Sequence, residues 1–160
     1  MEVTFVRVDS RLIHGQVSTA WVHHTGVNRL MVVNDKAAHD PMERSLLKMA
    51  KPRNIRGLDV LTIEQAVEMI KNDTGKDKVM IIARTPHDVK GLVDGGIAIR
   101  EVNLGNMPPQ EGKTRFEDTV HADQEEIKAL KAMADAGIVI YAQTTPVGPK
   151  SNLNARLQGQ

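Results

Sequence analysis

Cysteine is absent from the 160 residues, which excludes disulfides, thiolate zinc sites and a cysteine nucleophile. The absence is compatible with a cytoplasmic setting. Aromatic rings are scarce: with one Trp, one Tyr and two Phe, stacking on nucleic-acid bases is not the main activity. The core must be built from Val, Ile, Leu, Met and Ala. Neither sign of charge dominates. Twenty-one Lys+Arg face 20 Asp+Glu for a formal net charge of +1, which argues against a polybasic nucleic-acid binder. No apolar run approaches the roughly 20 residues that span a bilayer. Met1–Phe5 opens as a strand does, without the basic start and apolar stretch of a signal peptide. Work at a membrane would therefore go through a partner. Also missing are a G-x-G-x-x-G after the first strand and a G-x-x-x-x-G-K-[ST], so dinucleotide and nucleoside-triphosphate binding lose their usual support.

What is present alternates. Thr4–Val8 reads as a first strand, and a polar-apolar loop leads from it to a helix starting near Gly15. Arg29–Val33 is a short apolar run of the kind buried on both faces of a parallel sheet, with Asn34-Asp35 following as a loop. Asp40, Pro41 and Glu43 mark the next helix start as a capping box, and Leu46, Leu47, Met49 and Ala50 supply its expected buried stripe before Pro52. Leu58–Leu61 is a strand, and Thr62 with Gln65 caps a helix carrying Ile63, Ala66, Val67 and Ile70. Val79–Ala83 is the most apolar strand. Asp88–Val93 reads as a short helix, Ile99–Leu104 as a fifth strand, and Gly105–Pro109 as a loop. Thr114–His121 allows a short strand, Asp123 with Glu126 starts a helix ending at Gly137, and Ile138–Ala142 is the last strand. Residues 144–160 read as a polar, partly disordered tail.

Crossovers of ten or more residues between strands require parallel pairing. The expectation is one α/β domain over residues 1–160: a doubly wound, mainly parallel open sheet of about six to seven strands with helices on both faces. In such sheets ligands bind outside the carboxyl ends of the strands. That selects the loops Asp9–Gly15, Asn34–Asp40, Arg84–His87 and Gly105–Pro109.

The first of these carries chemistry. His14 stands beside Gly15 at a helix start, where the backbone N–H groups of Gly15, Gln16 and Val17 lack intrahelical acceptors and suit an anion. Gly15, without a Cβ, lets the backbone come close. Arg11 offers a planar donor fork for phosphate oxygens, and Asp9 is placed either to orient Arg11 or to accept from the imidazole. A neutral imidazole has a lone pair with which to attack phosphorus. On these grounds alone a packed or hydrogen-bonded histidine is the commoner case, and the catalytic reading is the minority one.

The stretch VRVDSRLIHGQV resembles the active-site signature of the IIB component of the mannose/fructose/sorbose family of sugar phosphotransferase systems. VVND, EVNLGNM and QTTP extend the resemblance along most of the chain. It implies a phosphocarrier: His14 phosphorylated on Nδ1, Arg11 assisting transfer and Asp9 holding the loop. It implies a IIA phosphohistidine as donor, a sugar presented by membrane IIC and IID subunits as acceptor, a cytoplasmic protein held peripherally at the membrane, and no cofactor. Thr85 is an additional expected phosphate contact. A non-enzymatic module of the same fold, binding an anion or partner at this loop, is the other reading.

Other residues have plainer expectations. Asn34-Asp35 is expected mainly to form an Asx-type turn, with a hydrogen bond to the active loop as the lesser reading. Gly105-Asn106 is expected to shape the wall of the site, with a need for φ > 0 as the other explanation of Gly105. His23 and His24 face different ways on a helix, so no metal site is expected.

Overall fold

The computed structural model describes residues 1–160. In chain order the elements are β1 (Glu2–Asp9), α1 (Gly15–Thr25), β2 (Arg29–Val33), α2 (Asp35–His39), α3 (Pro41–Met49), β3 (Gly57–Leu61), α4 (Ile63–Asn72), β4 (Lys78–Ala83), α5 (Pro86–Asp94), β5 (Glu101–Asn106), β6 (Thr114–Glu117), β7 (Val120–Ala122), α6 (Gln124–Asp135), β8 (Val139–Ala142), β9 (Ser151–Asn152) and α7 (Asn154–Gln158).

Seven strands form one sheet in the order β3-β2-β4-β1-β5-β8-β9. All neighbours are parallel except β8 and β9. Strand alternation divides the core in two. Met31, Val33, Val79, Ile81 and Ala83 point to one face, where Ala66 of α4, Leu92 of α5 and Leu130 of α6 cover them. Leu30, Val32, Met80 and Ile82 point to the other, against Trp21 of α1, Ala37 of α2 and Leu47 of α3. This is why β2 and β4 read as continuous apolar runs: both of their faces are buried.

Local chemistry sets the helix starts. Thr62 and Gln65 form a reciprocal capping box on α4, and Asp123 with Glu126 does the same on α6. Asp40 accepts from the N–H groups of Met42 and Glu43 at the start of α3.

Four expectations are corrected. Asp35 is not loop but the first residue of a short helix, α2, which Asn34 just outside it caps by accepting from the Ala37 N–H with its side chain. On α3 only Leu47 is buried, while Met42, Leu46 and Met49 are exposed. The helix lies at the rim of the sheet, where one apolar side chain suffices to reach the core. Gly105 and Asn106 belong to β5 and not to the following loop. Residues 144–160 are no trailing tail. Leu153 and Leu157 are fully buried, β9 pairs with β8, and Asn154 bonds both the N–H of Ile140 and the carbonyl of Ile138.

The chain leaves β1 for α1 on one face and leaves β4 for α5 on the other. Since β1 and β4 are neighbours, with Val8 opposite Ala83, their loops diverge and open a crevice at the carboxyl edge.

Candidate functional site

The loop beyond β1 is built by alternating what it buries. Asp9 is buried, Arg11 exposed, Leu12 and Ile13 buried, and His14 exposed. Leu12 and Ile13 plug into the core beneath α1, and a bond from the Leu12 N–H to the Asp9 carbonyl tightens the turn. Leu12 has φ 60, a left-handed conformation that costs a residue with a Cβ about 1–2 kcal/mol. Its buried side chain holds it there. Gly15 has φ 45 and meets nothing within 4 Å of a Cβ position, so backbone conformation rather than crowding within the chain requires glycine.

His14 is the N-cap of α1 and offers no side-chain cap. Its backbone N–H donates to Ser18 Oγ at 2.7 Å and its carbonyl accepts from the Ser18 N–H. The imidazole is left projecting at the crevice, beside the free first-turn N–H groups of Gly15, Gln16 and Val17.

Behind the loop lies a charged cluster. Asp9 Oδ1 accepts from the Arg11 backbone N–H at 2.9 Å and from Arg11 Nε at 3.0 Å. Asp9 Oδ2 accepts from Arg11 Nη2 at 3.0 Å and from Arg7 Nη2 at 3.2 Å. Of the two alternatives for Asp9, then, it orients Arg11; it makes no bond to the imidazole. Arg7 also donates to Asn103 Oδ1 and to the carbonyls of Gln143 and Thr144. Its guanidinium lies 5.3 Å from the Trp21 ring centroid, and Trp21 Nε1 donates to the same Thr144 carbonyl. Burial pulls the Arg7 pKa below the usual arginine value, and Asp9 opposes that pull.

The sequence matches the PTS system sorbose subfamily IIB component over residues 3–160. The chain belongs to that family. It is 32% identical over 151 residues to the N-acetylgalactosamine-specific phosphotransferase enzyme IIB component 1 of Escherichia coli, covering 94% of this chain and 96% of that one. It is 34% identical to the mannose-specific EIIAB component of the same organism, covering 94% of this chain and 46% of that one. The crystal structure of the IIBSor domain of the sorbose permease from Klebsiella pneumoniae superposes with a TM-score of 0.91 at 28% identity, covering 100% of this chain and 98% of that one.

In this IIB family member, the expected residues divide into those the fold brings together and those it does not. Asp9, Arg11, His14, Gly15, Gln16 and Val17 share the loop and helix start. Asn106 joins them: its Nδ2 donates to Ser10 Oγ at 2.7 Å, and its carbonyl accepts from the Ser10 N–H at 2.9 Å. Gly105 is glycine for a reason other than positive φ. A Cβ there would stand 2.0 Å from Arg7 Cζ, so the residue makes room for the guanidinium.

Thr85 is the N-cap of α5, on the other lip of the crevice. Its N–H and that of Arg84 donate to the buried Asp88 carboxylate, each at 3.1 Å. Asn34 Nδ2 donates to the same carboxylate at 3.1 Å, and burial pushes the Asp88 pKa above the ordinary aspartate range. Arg84 reaches Asn34 and forms an ion pair with Glu43. Asn34 and Asp35 do not bond the active loop; Asp35 accepts instead from the Ile63 N–H at the start of α4.

Sequence reasoning did not single out Arg7, Asn103, Thr144 or Asp88. Arg7 sits inside the quoted motif, and Thr144 inside QTTP. A charged residue between two valines of an apolar strand was the available signal, since such a group must find partners in the core.

Proposed function

We propose that His14 accepts a phosphoryl group from a phosphohistidine of a IIA protein and passes it to a sugar hydroxyl presented by membrane IIC and IID subunits. Phosphoryl transfer within a sugar phosphotransferase system is the role that family membership carries. The observation that supports His14 is its position: a projecting imidazole at an uncapped helix start, in the crevice between β1 and β4. The relative named EIIAB supports a IIA partner. Nothing favours a binding-only module, which would need no projecting nucleophile.

In the first transfer a ring nitrogen of His14, taken as Nδ1, attacks phosphorus with its lone pair. A new N–P bond forms, the donor's N–P bond breaks with its electron pair returning to the donor ring, and one proton passes from the His14 ring to the donor ring. In the second, the sugar oxygen attacks, the phosphohistidine bond breaks and the hydroxyl proton returns to the imidazole. Both reactants must come within about 3–3.5 Å of their targets, so both partners use the carboxyl edge in turn. First-turn N–H groups and Arg11 supply donors for the phosphoryl oxygens, with Thr85 on the opposite lip as a further contact. The protein works in the cytoplasm, against the membrane through IIC and IID.

The test is to incubate the chain with a radiolabelled phospho-IIA protein and map the label. It is expected on His14, acid-labile and base-stable as a phosphoramidate is, and absent from His14→Ala. Label retained by His14→Ala would overturn the assignment.

A further inference from the structure

Asp9 has more cation than one carboxylate needs. Its side chain is 2% exposed and is shared by two guanidinium groups of very different setting. Arg7 is 3% exposed and anchored on every side: Asn103 Oδ1, two main-chain carbonyls, the Trp21 ring and the backbone of Gly105. Arg11 is 35% exposed, and each of its side-chain bonds goes to Asp9. One of these arginines cannot leave. The other has nothing else to hold it.

We propose that Arg7 is a positioning residue, the permanent counter-ion of Asp9, and that it thereby allows Arg11 to exchange from Asp9 onto the phosphoryl group of His14. The inference rests on the phosphocarrier reading above. Removing the partner of a buried carboxylate is strongly unfavourable, so with Arg11 as sole counter-ion its departure would strand Asp9. With Arg7 in place, Asp9 retains the Arg7 bond and the Arg11 backbone N–H while the Arg11 side chain moves. One carboxylate against two guanidinium groups also leaves a surplus positive charge for the incoming dianion. Three bonds, to Asn103, Gln143 and Thr144, anchor Arg7, and its fourth holds Asp9 in place during the exchange, so Arg11 returns to the same position once the phosphoryl group has gone.

The primary test uses the unaltered chain, labelled with ¹⁵N in arginine, before and after phosphorylation by a phospho-IIA protein, with the phosphorylated residue mapped in the same sample. Phosphorylation is expected to shift the Arg11 Nε–H resonance and to leave that of Arg7 in place and protected from exchange. A shift of Arg7, or an unmoved Arg11, with the label on His14 would overturn the exchange. Label on another residue would instead overturn the phosphocarrier reading. The second test is genetic. Arg7→Gln is expected to slow transfer to His14 by about tenfold to a hundredfold. Arg11→Ala should add little in that background, and Asp9→Asn should restore part of the rate by removing the charge that detains Arg11. A purely structural Arg7 predicts additive losses and no rescue, and that result overturns the proposal.

Discussion

A Cβ built on Gly105 would stand 2.0 Å from Arg7 Cζ and 2.1 Å from Nη2, so the smallest side-chain addition displaces a buried guanidinium. Gly105→Ala is therefore expected to destabilise the fold by about 3–5 kcal/mol, the cost of breaking a buried ion pair. Chemical denaturation would measure this, and a change under about 1 kcal/mol would show that Arg7 can relocate freely. Leu12 presents the complementary case. Its backbone carries strain and its side chain is 1% exposed, so packing overrules conformational preference. Leu12→Ala is expected to cost about 2–5 kcal/mol and to slow phosphorylation, because Arg11 and His14 flank the anchor that is lost. Stability and transfer rate, measured on the same preparation, check both parts.

At the scale of elements, α3 separates sequence pattern from burial. Leu46 is 59% exposed and Leu47 is 7% exposed, although both belong to one apolar run. Leu46→Ala should change stability by less than about 0.5 kcal/mol, whereas Leu47→Ala should cost about 2–5 kcal/mol. Equal effects would mean that α3 packs with a different face inward. The cap of α6 carries a pH dependence. Asp123 accepts from the Glu126 N–H at 2.8 Å, and that backbone bond holds its pKa below the ordinary carboxylate value. A depressed folded pKa stabilises the fold in full above the unfolded value of about 4, and the contribution is lost as pH falls through the depressed value. Asp123→Asn retains an acceptor that does not titrate, so stability should fall less steeply below about pH 4 than in the unaltered chain. Asp123→Ala should lose about 0.5–2 kcal/mol at neutral pH. Urea titrations across pH distinguish the two.

Across the whole molecule, the last ten residues close the sheet. Leu153 and Leu157 are 1% and 0% exposed, and β9 lies antiparallel on β8. Deleting residues 151–160 removes two buried leucines worth about 1.5–3 kcal/mol each. That is a large part of the roughly 5–15 kcal/mol by which domains are stable, and the melting temperature should fall accordingly. An unchanged melting temperature would mean that this segment is an accessory. The same edge reaches the site, because Gln143 and Thr144, just beyond β8, supply carbonyls to Arg7.

The sequence by itself determined the β-α alternation, the capped starts of α3, α4 and α6, the parallel sheet and the loop that carries Asp9, Arg11 and His14. These are legible because capping boxes, apolar periodicity and short motifs depend on residues within a few positions of one another. Tertiary structure alone decided which apolar face of α3 stays outside, why Gly105 has no side chain, and that residues 151–160 fold back on the sheet. It also decided how His14 is served. Arg7 meets Asn103 and Thr144 only because β1 lies beside β5 and β5 beside β8, and strand order is a property of the assembled sheet that no local signal encodes. The imidazole and its neighbouring arginine could thus be read from one loop, while the buried cation that steadies them depends on three strands far apart in the chain.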